Sequence, residues 1–428
     1  KRYNGKLLLV FDDTIGSEEK FVLPEAYDMI IDGLKWLGIK WDAVYYKSDR
    51  LEIFYKYAEE LIRKGFAYVC ECDPKTLRKN RMEGKECVHR NQSVEENLEK
   101  WRNMLEGKYK EGEAVVRLKT DMKYPDPAFR DRVLLRIVER EHPRVGKKYR
   151  VWPMLEFSWA IDDHLLGVTH ILRGKDLVIE DMMEEFIWEK FGWKKVNFIH
   201  YGLFSIKEAK LSKTKAREAI KRGVYKGWDD PRTWSLQSLR KRGILPRAIR
   251  KFILSLGLSL ADVVIPAEIL YAENRKLIDP IANRYFGVLN PVEIRIKGLE
   301  VNEVEALRHP DFKERGKRKI RVDPNHIFIE KDDFEKLRGK EVRLMDLCNV
   351  VLEKESTLIS KELMKELPKI HWVSLPREKV TLIMPDGEEK EMVVESSVKE
   401  VKEGEIVQFM RIGFCRKDSE KVFYFTHK

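Results

Sequence analysis

The stretch KLSKTK, residues 210–215, sets three lysines among two hydroxyls and one leucine. An apolar run, 196–204, precedes it, and a helix-like segment, 216–222, closed by Gly223, follows. A turn from strand to helix exposes unpaired backbone N–H groups and the positive end of a helix dipole. Lys210, Lys213 and Lys215, with Ser212 and Thr214, make such a turn suited to phosphate. A lysine there can meet charge that develops during phosphoryl or nucleotidyl transfer. The same composition also suits an ordinary lysine-rich surface turn.

Upstream, GVTHILRG (167–174) reads as a strand ending at Arg173 and Gly174. A helix over about 176–191 follows, with Ile179, Met183, Phe186, Ile187 and Phe191 as its apolar face. Near the start, KLLLVF (6–11) is a continuous apolar run ending at Asp12 and Asp13, which suits a strand buried on both faces. Pro24 opens a helix with Ala26, Ile30, Leu34 and Leu37 at helical spacing, and Ser48 or Asp49 can cap a second helix that stops at Gly65. This β-α-β-α order predicts a parallel sheet with ligands beyond the carboxyl ends of its strands. Residues 1–68 and 151–223 are the two halves of that domain, and 69–150, with short strands among polar segments, reads as an insertion.

Residues 224–280 are helical and basic. From 281 to 428 the helix signal nearly vanishes, and segments such as IRIKG, HIFIEK, KVTLIM and VFYFT recur between turns, including Asp386-Gly387. That region is too large for one small barrel, so two are expected.

The 428 residues carry 83 Lys and Arg against 72 Asp and Glu, a net charge of +11. Clusters at 240–251 (RKRGILPRAIRK) and 313–321 (KERGKRKIR) fit a polyanion such as nucleic acid, or equally a solvated surface of the kind found in heat-adapted proteins. No apolar run of about 18 residues occurs, so no membrane span is expected. The first residues do not read as a signal peptide, which makes the cytoplasm the default location.

Five cysteines, an odd number, argue against a disulfide framework. CECDPKTLRKNRMEGKECVH (70–89) instead pairs Cys70 with Cys72 and Cys87 with His89. Two close pairs of soft ligands can close a tetrahedron around Zn2+, and a segment this poor in apolar residues would draw fold energy from the metal. The alternative is three reduced cysteines and a surface histidine. Cys348 and Cys415 stand alone in the β region and read as core thiols.

These stretches together resemble one family. KLSKT is similar to the second signature loop of class I aminoacyl-tRNA synthetases. LLLVFDDTIGSEE (7–19) resembles the aspartate-bearing strand of the glutamyl and glutaminyl members. AIDDHLLGVTHILRGKDL (160–177) resembles the stretch lining their amino-acid pocket, and GWDDPRTWSLQSLRKRGILPRAIRKF (227–252) the segment leading into their tRNA-contacting helices. The β-rich tail fits the paired anticodon-binding barrels of the archaeal and eukaryotic branch. The similarity spans essentially the whole chain and points to archaeal-type glutamyl-tRNA synthetases.

The resemblance implies a Rossmann-like catalytic domain carrying an inserted acceptor-binding domain, a helical stem-contact domain and two β-barrels. It implies ligation of L-glutamate to tRNA(Glu) through glutamyl-adenylate, with ATP and Mg2+; tRNA(Gln) stays open as a second substrate. Asp12 falls where the family holds the substrate's α-amino group, with a turn cap as its plainer role. Arg173 falls where glutamate-charging members meet a substrate carboxylate; a plain ion pair is the alternative, and glutaminyl enzymes usually lack arginine there. Lys213 would stabilise transition-state charge, with Lys210 and Ser212 on the ATP phosphates. His170, on the Arg173 strand, reads as a packed histidine. Related glutamyl enzymes carry a zinc-bearing insertion near the acceptor end of tRNA.

Three positions depart from the family pattern. Leu155 stands where a tyrosine is usual, and Leu203 where an arginine often precedes the phosphate loop. The first class I signature, His-x-Gly-His, occurs nowhere in the sequence. These residues are therefore expected to be part of a longer enzyme and, by themselves, incomplete at the ATP site, with negligible ATP–pyrophosphate exchange. Two rival readings are a glutaminyl-tRNA synthetase and a non-catalytic RNA-binding descendant of a synthetase.

Overall fold

The computed structural model describes residues 4–15, 22–209, 211–364 and 366–428. It divides into two compact units, Lys1–Leu203 with Leu258–Val263, and Phe204–Gly257 with Val264–Lys428.

In the first unit, β1 (Leu8–Phe11) and β2 (Ala43–Tyr46) pair in parallel, Leu8 opposite Ala43 through Phe11 opposite Tyr46. The crossover is α1 (Pro24–Trp36), opened by Pro24. Its inward residue is Tyr27, whose ring meets Phe11 at 5.5 Å and Tyr46 at 5.8 Å. The predicted apolar face turns partly outward, since Ile30 is 44% exposed. Aromatic contacts with the Phe11–Tyr46 stack set the rotation of α1 in place of the aliphatic stripe. The strand is also less enclosed than its composition suggests, because only Phe11 in it is buried. A short 3₁₀ turn, Lys47–Asp49, leads into α2 (Leu51–Arg63). Neither Ser48 nor Asp49 caps it; Ser48 is committed to Asp13.

The insertion begins with β3 (Ala67–Cys70), α3 (Pro74–Glu83) and α4 (Val94–Leu105), which starts with a Ser93–Glu96 capping box. It continues with β4 (Val115–Leu118), β5 (Val133–Ile137) and β6 (Val151–Pro153). The four strands form one antiparallel sheet in the order β3-β4-β5-β6. Val69, Val116, Leu135 and Trp152 of this sheet share a core with Phe54 and Leu61 of α2 and Trp101 of α4.

Next come α5 (Leu155–Leu165), β7 (His170–Gly174), α6 (Val178–Phe191) and β8 (Asn197–Tyr201). β7 and β8 pair in parallel, Arg173 opposite His200. Met183, Ile187 and Trp188 of α6 pack with Phe157, Ala160 and Ile161 of α5. The Trp188 indole N–H donates to the Ala160 carbonyl at 2.8 Å. The sequence predicts one parallel sheet, whereas the described residues form two parallel pairs with no ladder between them. Leu7 and Leu172 are each 50% exposed, so these strands lack the two-sided cover usual for parallel sheets. The predicted strand 196–204 stops at Tyr201. A Cβ on Gly202 would lie 2.2 Å from the Ala261 carbonyl oxygen, and the Gly202 N–H donates to Ser259 at 2.6 Å. This close approach breaks the run, and a separate β9 (Phe204–Ile206) precedes the lysine loop.

The second unit contains α7 (Lys213–Lys221), α8 (Leu236–Lys241), α9 (Pro246–Leu256) and α10 (Ala267–Ile278). Two seven-stranded sheets follow. The edge strands of one are Asn283–Tyr285 and Gly287–Val288; those of the other are Lys369–Ile370 and Val373–Ser374. Each sheet thus begins and ends in a single short segment of chain and curls back on itself, the two-barrel arrangement the sequence predicts. Phe409 and Phe423 lie in one core, Trp372 and Leu344 in the other. Cys348 and Cys415 are fully buried, as core thiols should be. Among the described residues no helix is long and apolar enough to cross a membrane.

Candidate active site

The two aspartates after β1 have different surroundings. Asp13 is 2% exposed and accepts from the Ser48 N–H (2.9 Å), the Ser48 hydroxyl (2.6 Å) and the Tyr27 hydroxyl (2.9 Å). Its carbonyl accepts from His142 Nε2 at 2.6 Å, while His142 Nδ1 accepts from the Arg144 N–H. The ring is therefore neutral, and burial holds its pKa below the ordinary histidine value. Asp13 fixes the turn, leaving the exposed Asp12 free to face elsewhere. Asp12 accepts from the Trp159 indole N–H at 2.9 Å and has Lys47 Nζ at 3.7 Å. Lys47 is 1% exposed, donates to Ser158 Oγ at 2.6 Å, and has its pKa lowered by burial.

Arg173 ends β7 and is also buried. Its Nη1 lies 2.9 Å from Asp181 and 2.5 Å from Glu184, and its Nη2 lies 3.9 Å from Asp163. The guanidinium sits over Trp159, 4.6 Å from the ring centroid, and 5.3 Å from that of Phe198. Asp181 also binds His200. Burial pushes Glu184 up to about 9, against the opposing pull of Arg173. Trp159 therefore joins the two sequence-predicted residues: its N–H holds Asp12 and its ring carries Arg173. Arg173 has protein carboxyl groups as partners, which is the ion pair the sequence left open beside a substrate carboxylate.

In the lysine loop, Lys210 lies outside the described residues. Ser212 caps α7 by accepting from the Lys215 N–H at 3.3 Å. The helix starts three residues earlier than predicted, so Lys213 is its first residue and both Lys213 and Lys215 are exposed in its first turn. No acidic residue lies in that turn. Cations at a helix N-terminus oppose the dipole unless an anion joins them. Asp12 and Arg173 belong to the first unit, Ser212 and Lys213 to the second. His170 is exposed, with Nδ1 3.0 Å from the Thr169 hydroxyl, and is not the packed residue predicted. Leu155 and Leu203, the two departures from the family pattern, are 39% and 54% exposed.

The four predicted metal ligands converge. Ligand atoms of Cys70, Cys72, Cys87 and His89 all lie within 4.8 Å of one another. Cys70 Sγ is 3.7 Å from Cys87 Sγ, and Cys72 Sγ is 3.5 Å from His89 Nδ1. A tetrahedron with zinc bond lengths has S···S edges of about 3.8 Å and S···N edges of about 3.5 Å, so the donor set fits that ion. Outside it, Glu71 approaches His89 Nε2 at 3.5 Å, and Arg117 Nη1 lies 3.8 and 3.7 Å from the sulfurs of Cys70 and Cys87.

Residues 1–280 match the family described as tRNA synthetases class I (E and Q), catalytic domain. Residues 282–366 and 369–418 match the anticodon-binding domains of the same class. The chain belongs to the class I tRNA synthetases of the E and Q group. The glutamate–tRNA ligase of Pyrococcus furiosus is 48% identical over 450 residues, covering 100% of this chain and 78% of the relative. That of Pyrococcus abyssi is 47% identical with the same coverage, and that of Archaeoglobus fulgidus 45% identical over 435 residues, covering 100% and 78%. Class I synthetases use ATP, with Mg2+ as its partner ion.

For a synthetase of this group, the sequence reading missed Asp13, Lys47, Trp159, Asp181 and Glu184. The Asp12-Asp13 doublet was a signal that one carboxylate would be structural and the other free. Trp159 gave none, because a tryptophan on an amphipathic helix reads as core.

Proposed function

We propose that this chain carries the glutamate-activating and tRNA-binding parts of a glutamate–tRNA ligase. The observation that carries the reading is Trp159 linking Asp12 to Arg173, which sets an exposed carboxylate and a cation around one ring. Asp12 receives the α-ammonium of L-glutamate, and Arg173 Nη2 faces its side-chain carboxylate. The substrate α-carboxylate attacks the α-phosphorus of ATP and pyrophosphate leaves, giving glutamyl-adenylate; a ribose hydroxyl of the terminal adenosine of tRNA(Glu) then attacks the acyl carbon, and AMP leaves. Lys213, with Lys210 and Ser212, meets the phosphate charge at the start of α7, where lysines alone are disfavoured. Zn2+ bound by Cys70, Cys72, Cys87 and His89 supplies structure to the insertion and takes no part in the reaction. The helices and barrels of the second unit bind tRNA, and the enzyme works in the cytoplasm.

The test is amino-acid specificity. Glutamate should be charged onto tRNA, and Arg173→Ala should lose glutamate use. Intact glutamate kinetics in that variant would remove Arg173 from the site. A wild type that charges glutamine in place of glutamate would favour the glutaminyl reading.

A further inference from the structure

Arg173 is held from behind by residues that no substrate role explains. α6 presents Asp181 and Glu184 three residues apart, on one face of the helix. Both reach the same nitrogen, Nη1, at 2.9 and 2.5 Å. The guanidinium faces are taken by Trp159 and Phe198. Nη2 is the uncommitted edge, since its nearest protein carboxylate, Asp163, stays at 3.9 Å, beyond hydrogen-bond reach. The anchor is itself rigid: Trp188 ties α6 to α5, the helix that bears Trp159. His200, opposite Arg173 on β8, holds the far side of Asp181.

We propose that Asp181 and Glu184 are positioning residues that fix the Arg173 guanidinium so that Nη2 faces an acidic side chain, and thereby set the preference for glutamate over glutamine. This rests on the reading of the pocket as a glutamate site.

An arginine side chain is long and loses substantial entropy when ordered. Left untethered, it would bind a carboxylate weakly and tolerate an amide. The anchor must also avoid cancelling the charge it holds. Glu184 is fully buried, and burial, with Asp163 beside it, keeps it protonated near neutral pH. A protonated Glu184 still accepts from Nη1 through its carbonyl oxygen, so it orients the cation without adding a negative charge of its own.

The test compares Glu184→Gln and Glu184→Leu in the full-length protein, with glutamate- and glutamine-dependent ATP–pyrophosphate exchange as the readout. Glu184→Gln keeps an acceptor of the same shape and should behave like wild type. Glu184→Leu removes the anchor and should raise KM for glutamate roughly tenfold or more with little change in kcat. It should also narrow the glutamate-to-glutamine ratio. Should Glu184→Leu not fold, Asp181→Ala, which removes the other oxygen on Nη1, provides the same reading. An unchanged KM and unchanged ratio in a folded anchor variant would overturn the proposal, as would equal damage from Glu184→Gln and Glu184→Leu. A wild type inactive with glutamate would instead sink the functional reading.

Discussion

Trp159 donates its indole N–H to Asp12 over 2.9 Å while its ring face lies under Arg173. One side chain thus registers the Asp12 carboxylate and the Arg173 guanidinium against each other. Replacement by phenylalanine keeps a ring beneath the guanidinium and removes the donor, freeing Asp12 to turn. Trp159→Phe should raise KM for the amino acid roughly tenfold, the worth of one hydrogen bond to a charged group, and change kcat less. An unchanged KM would mean that Asp13 alone holds the turn.

The cluster of Cys70, Cys72, Cys87 and His89 should yield about one equivalent of zinc in protein purified without chelator. Less than about half an equivalent would count against the metal, and Cys72→Ser should fall below that level. Arg117 is 1% exposed and directs Nη1 at two of the sulfurs, so with Zn2+ bound it would offset the negative charge of the three thiolates. Arg117→Met should release zinc to a competing chelator at roughly 10–100-fold lower concentration, the usual scale for residues that support metal ligands. Zinc retention equal to wild type would make Arg117 a packing residue only.

The second unit should be labile to acid through His427. This ring is 2% exposed, and its Nε2 accepts from Asn274 Nδ2 at 3.1 Å while its Nδ1–H donates to the Lys428 carbonyl at 2.8 Å. Burial pulls its pKa from 6.5 to about 4. Between those values the unfolded chain binds the proton and the folded one does not. The stability it contributes is therefore complete above pH 6.5 and is lost as pH falls toward 4, by up to about 3 kcal/mol. Denaturant unfolding at pH 7 and pH 4.5 should show this loss in wild type and a smaller one in His427→Gln. Parallel losses would place the acid sensitivity elsewhere.

What the sequence revealed and what it hid divide along a physical line. Cys70 to His89 were legible because ligand spacing is local and a tetrahedron needs few coordinates. Arg173 was legible as a buried cation at a strand end, but its partners were not: Asp181 and Glu184 lie on a helix whose apolar face masks its buried acids. The rotation of α1 was misjudged because Ala26, Ile30 and Leu34 share helical spacing with a competing face, and only the Phe11–Tyr46 stack decides between them. Gly202 hid a break in the strand, since the segment that crowds it, Ser259 to Ala261, is remote in sequence. The two barrels were visible because alternation and turns recur at short range.

The basic run at 313–321 gives the last prediction, because three of its six basic residues already face carboxylates. Across the hairpin formed by Glu303–Leu307 and Lys317–Arg321, Lys317 pairs with Glu305 at 2.9 Å and Lys319 with Glu303 at 3.0 Å. Arg318 is buried against Glu395 at 2.7 Å. Exposed pairs of this kind are weak, but their carboxylates remain beside the lysines and oppose a phosphate. tRNA binding by the full-length protein should depend steeply on salt, as it does for any polyphosphate contact. Within that dependence, the double variant Lys317→Ala, Lys319→Ala should leave the slope of log affinity against log salt nearly unchanged. A slope shallower by about two would show that both lysines abandon their glutamates for phosphates and that this hairpin belongs to the RNA footprint.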